Sequence, residues 1–252
     1  MNPFAPILHL IGSSATAYLL SSQIRDVKTR PNVLAGFYLA ESGSVPYLTA
    51  LRDRAAAEGD MWLAERLTKH ANDERRHGQI FANALKQIGK EAITPTASSQ
   101  ATKSSSQREK SPFFDAYYRD YSATDLKPEA IEWGVFLGST YILEADAYKD
   151  FHHMATALTD VPDMAKVRAG ILSVAKDEAG HAAYLKEAIQ RRYDYFTAEA
   201  LINEWRSRKS EALMAMVMNT IERRGKLRTL AQDRVDEAPD SVESEVAFVA
   251  AA

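Results

Sequence analysis

Ala71-Asn72-Asp73-Glu74-Arg75-Arg76-His77 and Ala175-Lys176-Asp177-Glu178-Ala179-Gly180-His181 spell one pattern twice, Ala-x-Asp-Glu-x-x-His. On a helix, positions i and i+3 share a face about 5 Å apart, so the Glu and His of each copy act together. Each copy follows a lone acid in an apolar helical stretch: Glu41 stands 33 residues before Glu74, and Glu144 stands 34 before Glu178. Four carboxylates and two imidazoles are the ligand set of a dinuclear metal site inside a four-helix bundle. One Glu-x-x-His is an ordinary solvated helix face. Two copies with matched upstream acids are a duplicated half-site.

Working outward, an all-α chain is expected. Apolar residues at helical spacing (Leu34, Phe37, Tyr38, Val45, Leu48, Leu51) predict a helix over about 31–58. Glu58-Gly59-Asp60 breaks it, and a second helix runs to Ile88 with Gly89 as C-cap. So short a turn makes the two helices antiparallel neighbours. A third helix is expected from a cap at Thr124 or Asp125, with Pro128 in its first turn, to about Leu158. A fourth continues past His181 to about Tyr193. The link between the pairs, 90–127, is long; its stretch Thr94 to Gln107 reads as a mobile loop, and Phe113, Phe114, Tyr117, Tyr118 and Tyr121 read as an aromatic cluster in a short helix. A crossover along the bundle explains that length.

The domain plan is therefore an accessory segment over 1–30, a bundle over 31–195, an amphipathic fifth helix over 196–230 that caps the bundle or pairs with another subunit, and a disordered acidic tail over 231–252. The apolar stretch Pro3 to Leu20 lacks a basic flank and is interrupted by His9, Gly12, Ser13, Ser14 and Thr16. A short docked helix is expected there, with neither signal peptide nor membrane span, and a cytoplasmic location by default.

Composition narrows the chemistry. The 252 residues suffice for one substantial core, and a net charge of −3 argues against general nucleic-acid binding without excluding a nucleic-acid substrate. There is no cysteine, which removes disulfides, thiolate zinc and iron–sulfur clusters. Electrons for any metal must come from an external donor such as a reductase or ferredoxin.

The candidate ligands are Glu41, Glu74, His77, Glu144, Glu178 and His181. Glu74 with His77 is expected to clasp one ion and Glu178 with His181 the other, with Glu41 and Glu144 completing the shell and bridging. Oxygen-rich ligation with one imidazole per metal suits two iron ions first and a Mn/Fe pair second. Asp73 and Asp177 precede the motif Glu residues and are expected to accept the outer N–H of a ligand imidazole from the opposite motif. Tyr38 and Tyr141 lie one turn from Glu41 and Glu144, where they either touch the carboxylates, carry an oxidising equivalent or pack in the core. His70, one turn before Glu74, is either a core or surface histidine or a seventh ligand; the other half has Val174 there. Pro46 and its small neighbours suggest either a pocket beside the metal or simple helix curvature.

On these residues, over Pro31 to Tyr193, the chain resembles the ferritin-like di-iron carboxylate superfamily, whose members include ferritins, rubrerythrins, aldehyde-deformylating oxygenases and MiaE-type tRNA hydroxylases. The resemblance implies a ferritin-like bundle of two antiparallel helix pairs, the six ligands above and a reduced centre that reacts with O2. The missing cysteines exclude the rubredoxin module of rubrerythrins, and the added segments look more like an oxygenase. Some di-iron N-oxygenases carry an extra histidine where His70 stands, although their overall pattern is not matched. The leading expectation is an O2-dependent di-iron oxygenase or oxidase acting on a small organic substrate in the bundle core, with a homodimer as a further expectation. The alternatives are a ferroxidase, iron-handling or peroxide-scavenging protein, and a structural metal scaffold.

Overall fold

The Glu58-Gly59-Asp60 break is a tight helix–helix turn in the computed structural model, which describes residues 5–94, 111–222 and 229–234. Gly59 sits at φ +83°, in the left-handed region open to glycine, and the Asp60 side chain caps the next helix by accepting from the Leu63 N–H at 3.0 Å. The helices so joined are α2 (Arg30–Ala57) and α3 (Met61–Gln87); α1 (Ala5–Arg25) precedes them. Arg30 closes α1: its buried guanidinium donates to the carbonyls of Ile24 and Arg25, each at 2.7 Å, satisfying acceptors that the helix end leaves open. Gly89, at φ +69°, ends α3 as expected.

After β1 (Lys90–Ala92) come α4 (Pro112–Tyr117), α5 (Trp133–Ala157), α6 (Ala165–Arg192), α7 (Tyr195–Glu222) and β2 (Ala231–Asp233). The protein is mostly helical, with almost no sheet. α2 packs on α3 and α5 on α6, the two pairs meet where α3 touches α6, and α1 and α7 lie against α5. No helix among the described residues is long and apolar enough to cross a membrane.

Two apolar clusters fill the interior. One gathers Leu51, Leu67, Tyr117, Leu137 and Trp205; the other gathers Leu34, Phe81, Phe151, Met154 and Ile171. Their order along each helix gives its direction. α2 and α6 run from the second cluster to the first, while α3 and α5 run the opposite way. Neighbours within each pair are thus antiparallel, and the chain from the end of α3 to the start of α5 must travel the length of the helices. α4 ties that crossover down: buried Tyr117 donates to the Ser139 carbonyl at 2.8 Å and its ring lies 5.0 Å from that of Trp205.

Several boundaries differ from the sequence reading. The third bundle helix starts at Trp133, not near Thr124. Ser122 and Asp125 do exchange reciprocal backbone–side-chain hydrogen bonds, but these close a turn. Arg54 Nη1 on α2 then takes the carbonyls of Pro128 at 3.1 Å and Ile131 at 2.6 Å, which holds this stretch out of a helix. The accessory segment forms a 21-residue helix rather than a short one. α7 is described to Glu222, residues 229–230 lie outside any helix where the fifth helix was expected to reach 230, and Ala231–Asp233, expected in the tail, pairs antiparallel with β1 in the register Lys90↔Asp233. The expected mobile loop over 95–107 and the tail beyond 234 lie outside the described residues.

Close packing of α5 on α7 rests on Gly138, where a Cβ would lie 2.7 Å from Trp205 Nε1 and 3.1 Å from Leu201 Cγ. Trp205 is fully buried and cannot yield. Gly138→Ala is expected to cost about 2 kcal/mol and lower Tm by roughly 6 °C in a thermal melt, while an unchanged Tm would show that this interface is slack.

Candidate metal centre

On all four helices of the two pairs, the predicted ligands fall between the two apolar clusters. Glu41 lies between Ala35 and Leu48, His77 between Ala71 and Phe81, Glu144 between Ile142 and Phe151, and Glu178 between Ala175 and Tyr184. Packing above and below excludes water from the layer they share. Glu41, Glu74, His77, Glu178 and His181 are buried; Glu144 is the most accessible, with 15% of its side chain exposed.

The structure brings all six together and adds His70. Ligand atoms of Glu41, Glu74, His77 and Glu178 lie within 4.8 Å of one another, as do those of His70, Glu144 and His181, and each group could hold a metal ion. His77 Nδ1 lies 3.4 Å from Glu41, 3.6 Å from Glu74 and 3.2 Å from Glu178 Oε1. His181 Nδ1 lies 3.3 Å from Glu178 Oε2, 3.8 Å from Glu74 and 4.0 Å from Glu144. His70 Nε2 lies 3.3 Å from Glu74 and 3.4 Å from Glu144, and its ring stacks on His181 with centroids 3.8 Å apart.

Glu178 places one oxygen toward each motif imidazole, and Glu74 faces all three imidazoles, while Glu41 faces His77, and Glu144 faces His70 and His181. The carboxylates that straddle the centre are therefore those of the repeated motif. The cause is topological: the motif helices α3 and α6 face each other, so their acids meet in the middle.

Asp73 and Asp177 stand where the sequence reading puts them, each serving the opposite motif. His77 Nε2 is 3.2 Å from Asp177 Oδ2, and His181 Nε2 is 3.3 Å from Asp73 Oδ2. Cations cover both acids from outside: Lys69 Nζ is 2.7 Å from Asp73, and Arg76 bonds Asp177. Two further residues escape sequence reading. Ser44 donates to Glu74 Oε2 at 2.8 Å, and the Tyr184 hydroxyl lies 2.7 Å from His70 Nδ1. The place of Ser44 three residues after Glu41 was visible in the sequence, but nothing there marks Tyr184, which comes from the partner helix pair.

Tyr38 and Tyr141 are partly buried beside the apolar clusters, and neither hydroxyl hydrogen-bonds a ligand carboxylate. His152 and His153 are exposed. Pro46 and Gly43 face outward, and Gly78 of α3 closes directly on Ser42.

Protons carry out part of the charge balance. Burial, with Glu74 and Glu178 nearby, pushes the Glu41 carboxyl well above the usual range, and burial with Glu178 pushes that of Glu144 up to about 8. Burial opposes charge at Glu74 too, yet hydrogen bonds from His70 and His77 hold it below the usual value. Burial likewise opposes charge on His77, but Glu178, Glu41 and Glu74 raise it to about 11; His70 is raised by Tyr184, Glu144 and Glu74. His181, buried against His70, falls to about 4. Burial and mutual contact thus drive the protonation preferences of these clustered acids and bases apart.

Compared with known protein families, with curated proteins and with solved structures, the chain matches none.

Proposed function

We propose that the chain is a ferritin-like enzyme with a dinuclear metal centre, an O2-dependent oxygenase or oxidase that uses two iron ions on a small organic substrate. One observation carries the reading: seven buried or nearly buried donors, four carboxylates and three imidazoles, converge as two adjoining groups, each of which could hold a metal ion. A fold gains no stability from such a cluster without cations, because each buried carboxylate carries a desolvation cost of several kcal/mol. Hard oxygen donors with a minority of imidazoles suit iron, with Mn/Fe as the other pairing.

In this reading Glu41, Glu74, His77 and Glu178 would hold one ion, and His70, Glu144 and His181 the other. When bound, the reduced pair supplies electrons to O2. The residues around it set geometry. Asp177 and Asp73 accept the Nε2–H of His77 and His181, which turns each Nδ1 lone pair inward. Tyr184 accepts from His70 Nδ1–H and so frees Nε2. Ser44 holds one Glu74 oxygen, and the apolar clusters keep bulk water out. Electrons come from an outside donor, since the chain has no cysteine.

Lys69 and Arg76 neutralise Asp73 and Asp177 on the histidine side of the centre, which favours this reading over iron handling, where an acidic approach would draw Fe(II) in. Anaerobic Fe(II) titration is expected to reach about two irons per chain, and admitting O2 should then consume it with a change in the optical spectrum. No stoichiometric uptake of iron or manganese would overturn the proposal. Asp177→Asn should weaken metal affinity by about 10- to 100-fold while leaving the helical circular dichroism intact, and unchanged affinity would remove Asp177 from the centre.

A further inference from the structure

A cleft of about 490 Å³ opens between α1, α5 and α7, and none of the candidate metal ligands lines it. It is lined from α5 by Asp146, Lys149 and His153, which follow Glu144 by two, five and nine residues and so occupy the opposite face of that helix. Its size suits a small organic ligand.

The floor is a closed ion network. Asp146, 2% exposed, accepts from Lys209 Nζ at 2.8 Å and from Ser13 Oγ at 2.9 Å, so its charge is met. What remains is cationic. Lys149, at the mouth, is more than half exposed and touches Asp146 only at 3.3 Å. Arg206 is partly buried; its Nη1 donates to Asn203 at 3.0 Å, and it forms no ion pair with any carboxylate among the described residues. A half-buried guanidinium turned into a cleft without an acid partner keeps most of its five donors for a guest. Burial, opposed by Lys209 and reinforced by Asp146, raises the Asp150 carboxyl to about 7, so near neutrality it offers an O–H as readily as a charge. Ala17, Ile142, Ala145 and the ring of Tyr141 give the cleft an apolar wall.

We propose that this cleft binds a small organic monoanion: a carboxylate gripped by Arg206, with Lys149 at the mouth and a compact apolar body against the Ile142 wall. A guanidinium matches a carboxylate with two parallel hydrogen bonds. A dianion such as phosphate is disfavoured by Asp146 and Asp150 beneath it, and an organic cation by Arg206 and Lys149.

Calorimetric titration of the full, metal-free chain with benzoate, hexanoate, inorganic phosphate and hexylammonium tests this. Saturable one-to-one binding of benzoate or hexanoate is expected, stronger than that of the other two probes. Arg206→Gln should weaken it by about tenfold or more, the loss of a charged hydrogen-bond pair. Arg206→Lys, which keeps the charge and loses the fork, should fall between. Both variants should keep the parent melting temperature and iron uptake, and iron loading should leave carboxylate binding unchanged. Absence of saturable carboxylate binding, preference for phosphate or hexylammonium, insensitivity to Arg206→Gln, or displacement of the carboxylate by iron would each overturn the proposal.

Discussion

Glu178→Gln is expected to abolish binding of both metal ions, whereas Glu144→Ala should remove only one. Glu178 presents an oxygen to the Nδ1 of His77 and the other to that of His181, so it belongs to both positions. Glu144 faces His70 and His181 alone. The parent, held at about a thousand times its dissociation constant in metal, should gain roughly 4 kcal/mol of stability. For a chain of this size that is about 10 °C in Tm. Glu178→Gln should lose this increment entirely. Metal counts and melting curves, with and without Fe(II), separate the outcomes. Equal loss in the two variants would contradict the shared role of Glu178, and full occupancy in both would remove the centre altogether.

Lys209→Met is the second large effect. Lys209 and Asp146 form an ion pair at 2.8 Å with side chains 9% and 3% exposed. Removing the ammonium leaves a buried carboxylate whose other cation, Lys149, is largely in solvent. Breaking a buried pair on one side costs about 3–5 kcal/mol, and the lower end applies here because Ser13 and Lys149 stay. Tm should drop by about 10 °C. Asp146→Asn in the same chain should restore most of it, since no uncompensated charge remains. A single variant as stable as the parent, or a double variant no better than the single, would show that the pair is not what joins α5 to α7.

Much of the helical plan was legible because its signals are local. Gly59 and Gly89 sit where the chain needs positive φ, and Asp60 caps the helix that follows it. Local signals also misled. Ser122 and Asp125 look like a helix start and form the expected reciprocal bonds, but Arg54, more than seventy residues earlier, takes the carbonyls that a helix would have used. Nothing near residue 128 encodes that competition. In the same way β2 exists only because β1 lies alongside, a pairing across 139 residues that no window of sequence displays.

The candidate centre divides along the same line. The identities of its six acids and imidazoles, and the crossed service of Asp73 and Asp177, follow from a repeated spelling, because helical periodicity converts spacing into a shared face. Which carboxylates straddle the centre does not follow, since that depends on α3 meeting α6 across the middle. His70 was ambiguous for the same reason. One turn before Glu74 it is equally a core histidine, and only the approach of Glu144 and Tyr184 from the other helix pair places it in a group that could hold a metal ion. Sequence alone determined which side chains are available and which face of each helix carries them. Tertiary structure decided which faces meet, how the charge is shared, and that Arg206 pairs with no acid among the described residues. Those outcomes are set by contacts between distant helices, where geometry and desolvation act on pairs of residues that have no proximity in the chain.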